Sequence, residues 1–179
     1  LLEQVRDKKL RLDRTIEVSV TNAAEKKAIM KRIVPNVRTL QHLLRLNRGD
    51  YLTAINKRLP MRQRRAAWKN LVVRRNKAVR LIEEMNLRTN RLQPLFEKLR
   101  IAANRMAEIQ SILSKPELLA MPGMPSEEEL QSELRYLMRL TFETPLTLAR
   151  RVKRCDHFSE DYDAAKRVLS AGNLRLVVS

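Results

Sequence analysis

Aromatic residues make up only 4% of these 179 residues: one Trp, three Tyr and three Phe. Glycine is scarce too, at three positions. A sheet protein fills its strands with aromatic and β-branched side chains and its turns with glycine. Those shortages therefore argue against a sheet. The single cysteine, Cys155, excludes an intramolecular disulfide framework and fits a reducing compartment. No apolar run is long enough to span a bilayer, so no membrane partner is expected. Acidic residues are also in short supply, 20 against 37 Lys and Arg, which leaves a formal net charge of +17 and a pI near 10.9. Such an excess favours polyanions.

What is present is helix-forming: Leu, Arg, Ala, Glu and Met dominate. The expected fold is all-α, a multi-helix bundle with long antiparallel helices and an extended N-terminal segment. Leu12, Ile16, Val18 and Val20 alternate, which reads as coil or a short strand. Thr21 or Asn22 can cap a helix that Pro35 stops or restarts. A following helix uses Val37, Leu40, Leu43, Leu44 and Leu46 and ends at Gly49.

A long helix is predicted over 61–85. At 100° per residue, Ala67, Trp68, Leu71, Ala78, Ile82 and Met85 share one face, with Arg62, Arg65, Lys69, Lys77 and Arg80 roughly opposite. Arg64, Arg74 and Arg75 flank or interrupt the apolar side. A break follows near Asn86–Asn90. Leu92, Leu95, Leu99, Ala102, Met106, Ile109 and Leu113 then form a heptad seam about three heptads long, read as an intramolecular core face.

Pro116, Pro122, Gly123 and Pro125 mark a linker over 116–126. Ser126 and Glu129 form a capping box for a helix with Leu130, Leu134, Leu137, Met138 and Thr141 on one face. Thr144-Pro145 starts the next helix, with Leu148, Val152 and Cys155 inward. Ser159 is expected to start another, with Tyr162, Ala165 and Leu169 inward.

Catalysis has little support. His42 and His157 lie far apart, and Cys155 and His157 point in different directions on a helix. No Cys/His set completes a metal site, and no phosphate loop or HExxH motif occurs. No enzyme activity, cofactor, metal or small-molecule substrate is expected.

From Lys57 to Arg80 there are ten basic residues and no acidic one. Arg62, Arg65, Lys69, Lys77 and Arg80 are the candidates for phosphate contact along a helix, where each neutralised phosphate releases counterions. A solvated face, or a face meeting an acidic protein, would carry the same residues.

The segment 161–179, "DYDAAKRVLSAGNLRLVVS", resembles the start of conserved region 2 of bacterial sigma-70-type primary RNA polymerase sigma factors. Ala165-Lys166-Arg167 and Asn173-Leu174-Arg175-Leu176-Val177-Val178-Ser179 carry the match, and Gly172 departs from the family pattern, where Ala is common. The resemblance implies a cytoplasmic bacterial transcription initiation factor with two partners, core polymerase and promoter DNA. Asn173, Leu174, Arg175, Leu176 and Val177 would belong to the first helix that docks on the coiled coil of the largest catalytic subunit. Residues 1–160 would be the family's non-conserved helical insertion, with basic helices over 22–115, the linker and helices over 127–158. Residues 161–179 would begin region 2.1. Leu1 in place of Met, and an apolar run ending at Ser179, read as a chain cut at both ends, with Leu174, Leu176 and Val178 left uncovered. The competing reading is a general basic helical nucleic-acid binder or adaptor.

Overall fold

In a computed structural model, which describes residues 1–18, 23–119 and 121–178, the chain is all-α. Seven α-helices are found among the described residues: α1 (Leu2–Arg6), α2 (Ala23–Ile55), α3 (Met61–Glu83), α4 (Thr89–Leu113), α5 (Pro116–Leu119), α6 (Glu127–Thr141) and α7 (Pro145–Val178). The chain forms two compact units, Leu1–Leu95 and Phe96–Ser179.

The first unit is built on an antiparallel hairpin of α2 and α3. Asn56 and Pro60 bound its connector. The Asn56 side chain accepts the Arg58 backbone N–H at 3.0 Å, and Pro60 biases Leu59 away from helical geometry. Tyr51 of α2 and Ala67 and Leu71 of α3 are buried. At the far end Val5, Ile16, Ile33, Val37 and Met85 form a core. α3 ends at Glu83, and Asn86 follows in the left-handed region at φ 45°, which Asn tolerates. This turn presents the Asn86 carbonyl to the Glu17 N–H at 2.9 Å and lets Arg88 N–H reach the Thr15 carbonyl at 3.0 Å.

Three expectations change here. The N-terminal segment is not extended: it holds α1 and a 3-10 turn over Leu12–Arg14, and Ile16 makes a single bridge to Leu87. Val5 and Ile16 need burial, and folding back onto α2 provides it. Secondly, Pro35 neither stops nor restarts a helix, because α2 runs through it and through Gly49. Pro35 sits on an exposed side, where solvent can reach the carbonyl its missing N–H leaves free. Thirdly, Leu44 and Leu46 are exposed, so only Val37 and Leu43 of that predicted face are buried. Val20, Thr21 and Asn22 lie outside the described residues.

The second unit packs α4 from Phe96 onward against α6 and the start of α7. Ala103, Met106, Leu148 and Val152 form one core; Ile109, Ile112 and Leu130 form another. The capping box is formed: Glu129 N–H donates to Ser126 Oγ at 3.2 Å, and Ser126 N–H donates to the Glu129 carboxylate at 2.8 Å. The Ser126 N–H, with the Ser126 hydroxyl at 3.0 Å, holds the Glu129 carboxyl below its ordinary range. Arg105 of α4 clasps Glu133 of α6 through two 2.7 Å bonds. Thr144 caps α7 by accepting from Thr147 N–H at 3.3 Å.

The heptad seam is split. Met106 and Ile109 are buried, whereas Leu92, Leu95 and Leu99 are each more than a third exposed. The apolar partners from α6 and α7 gather on Phe96, Ala102, Ala103, Met106, Ile109 and Ile112 of α4, and Leu99 is not among the residues they cover. Ser159 starts no helix, since α7 is continuous from Pro145 to Val178. Cys155, Tyr162, Ala165 and Leu169 are exposed rather than inward. At 34 residues α7 spans roughly 50 Å. The 15-residue α6 covers only its beginning.

Candidate nucleic-acid interface

Charge is divided unevenly between the units. Leu1–Leu95 holds 24 Lys and Arg against 8 Asp and Glu, a net +16; Phe96–Ser179 holds 13 against 12, a net +1. The hairpin concentrates it further. Residues 26–80 contain 17 basic side chains and one acid, Asp50.

Asp50 is already engaged. Arg74 of α3 reaches across to its carboxylate and donates through Nε to Asn47 Oδ1 at 3.0 Å. Asn47 is buried, and its oxygen needs this donor. Arg64 donates to the Ala54 carbonyl at 3.0 Å, which ties the two helices together beside the connector. These arginines interrupt the apolar side of α3 because they serve the helix–helix contact.

The five phosphate-contact candidates are different. Arg62, Arg65, Lys69, Lys77 and Arg80 are all exposed on α3. Among the described residues none of them enters a salt bridge. Arg62, Lys69 and Arg80 lie opposite Leu71, with Arg65 and Lys77 about 60° to either side. The stripe from Arg62 to Arg80 is roughly 27 Å long at 1.5 Å per residue.

Helix α2 carries a second stripe that the sequence reading missed. Lys27, Lys31, Arg38 and Arg45 fall within about 40° of one another, opposite Asn47, and are exposed. Counting 100° steps over 23–55 finds them once the helix is taken as unbroken at Pro35. The hairpin thus has a cationic stripe along each outer edge. Such edges attract phosphate backbones and fix position without reading bases.

The docking candidates belong to the other unit, on the exposed part of α7. Asn173 is exposed, and Leu174 keeps 65% of its surface open. Arg175, Leu176 and Val177 continue the helix; their side chains, and Ser179, lie outside the described set. Phe158, Tyr162 and Leu169 are also more than half exposed, giving α7 an apolar face open to solvent. The region boundary drawn at 160 falls within this continuous helix.

Nothing among the described residues groups three or more metal-ligating side chains, and no described helix is long and apolar enough to cross a membrane. Comparison with protein-family models, with curated proteins and with solved structures gives no match.

Proposed function

We propose that the chain acts in bacterial transcription initiation as part of a sigma-70-type factor, binding core RNA polymerase and contacting DNA phosphates. The observation that carries this is the resemblance of residues 161–179 to the start of region 2. The exposed setting of Asn173 and Leu174 on α7 supports it, because a docking segment has to be open to its partner. In this reading α7 supplies the docking helix and the hairpin supplies sequence-independent attraction to DNA. Neither role is catalytic, and the site is cytoplasmic.

The test is competition. Added in excess to core polymerase and a complete sigma factor, the chain is expected to lower promoter-directed transcription. Leu174→Asp, an exposed change with little expected effect on folding, should relieve the inhibition. Inhibition that persists in Leu174→Asp but vanishes when the α3 cations are neutralised would assign the effect to DNA binding alone. That outcome would favour the second reading, a general basic helical nucleic-acid binder or adaptor. The one acid among 18 charged residues of 26–80 is what favours it.

A further inference from the structure

The connector end of the hairpin carries a cleft of about 250 Å³ lined by Ala54, Met61, Arg64, Arg65, Trp68 and Lys69. Trp68 is the protein's only tryptophan and is half-buried there. Ala54, Met61 and the indole make the cleft largely apolar. Arg64 is fixed to the Ala54 carbonyl. Arg65 and Lys69 are exposed, and neither enters a salt bridge among the described residues. Lys57 and Arg58 of the connector add two more exposed cations nearby in sequence. The one acid of residues 26–80, Asp50, is held by Arg74.

We propose that this cleft binds an unpaired nucleotide of a single strand, with its base against the Trp68 indole and its phosphates on Arg65 and Lys69. The inference rests on the phosphate-contact reading of the hairpin and goes beyond it. A phosphate stripe needs no aromatic and no cavity. A nucleotide pairs a flat apolar face with an adjoining anion, and the cleft pairs a flat indole with adjoining cations. Base–aromatic stacking is tolerant of sequence and adds to phosphate affinity. In a duplex the base faces are already stacked on one another, so the cleft selects single strands. Its volume is below the range of about 300–1,000 Å³ typical of small-molecule sites. That suits one base better than a complete cofactor.

The test uses the 179-residue chain and two single strands of roughly 12 nucleotides, within the span of known single-strand sites. One is oligothymidylate; the other is abasic, with the same phosphates and no bases. Labelled strands report affinity by anisotropy, and the lone indole reports the site by its emission. Both strands should bind at low salt. Oligothymidylate should bind at least about fivefold more tightly, the smallest effect expected of one stacked base, and should quench Trp68. Trp68→Ala should abolish the difference between strands, and Trp68→Phe should keep most of it. Should Trp68→Ala fail to fold by circular dichroism, the wild-type comparison of the two strands decides alone. Equal affinities with unchanged Trp68 emission would overturn the nucleotide site and leave the phosphate reading standing. Absence of binding by both strands at low salt would overturn both.

Discussion

Arginine does two separable jobs in the hairpin, and burial separates them. Arg74 satisfies buried Asn47 and pairs with Asp50, whereas Arg62 has no salt-bridge partner among the described residues. Arg74→Ala should therefore cost about 1–3 kcal/mol, since it leaves a buried polar group and a charge unsatisfied. Arg62→Ala should stay within about 0.5 kcal/mol. Urea unfolding followed by circular dichroism distinguishes the two. A second residue-scale test is acid stability. Hydrogen bonding to Arg105, opposed by desolvation and assisted by its charge, holds the Glu133 carboxyl below its ordinary value of 4.5. A carboxyl lowered in the folded state stabilises the fold fully above its unfolded value, and that stability is lost as pH falls through the folded value. The pair is more than a third exposed, so screening limits it to about 1 kcal/mol at most. Glu133→Gln should lose that stability at pH 7 and flatten the fall below about pH 4.5. An unchanged acid limb in thermal melts would count against it.

At the scale of elements, the sequence is most legible where capping and periodicity agree. Ser126–Glu129 and Thr144-Pro145 mark real helix starts, and the 61–85 pattern matches α3 over Met61–Glu83 with Ala67 and Leu71 buried; Met85 is buried just past its end, whereas Ile82 of the predicted face is exposed. It misleads where a local signal is overruled. Pro35 and Gly49 look like stops, but packing along 33 residues of α2 carries the helix through them. Ser159 looks like a cap, but it sits inside α7. Spacing alone assigns inward faces to α7, and spacing says nothing about whether a neighbour reaches that far. The phosphate-contact candidates are legible as a stripe on α3; those on α2 are hidden by the false break. An element-scale prediction follows from the α3 stripe. Changing Arg62, Arg65, Lys69, Lys77 and Arg80 to Gln should weaken duplex binding and flatten log K against log salt, by about 0.9 for each phosphate no longer neutralised. Promoter and scrambled duplexes of equal length should respond alike, because phosphate contacts carry no sequence information. An unaltered salt slope would remove α3 from the interface.

At the scale of the whole molecule, two units divide the properties. One concentrates charge, at net +16. The other is nearly neutral and presents the exposed length of α7 with the region 2-like segment. Composition reveals the total charge, while its partition needs the unit boundary at Leu95–Phe96. The proposed docking segment is legible only through resemblance, since Asn173 and Leu174 have no chemistry that marks them out individually. Cys155, the sole thiol, is exposed on α7, 18 residues before Asn173, and accepts a fluorescent label without a new cysteine. The most direct measurement is a titration of the Cys155-labelled chain with core RNA polymerase, followed by anisotropy at a salt concentration high enough to screen non-specific attraction. Saturable binding, displaced by a complete sigma factor and weakened at least tenfold by Leu174→Asp, is the predicted result. No binding, or binding that neither the sigma factor nor Leu174→Asp affects, would contradict the docking role.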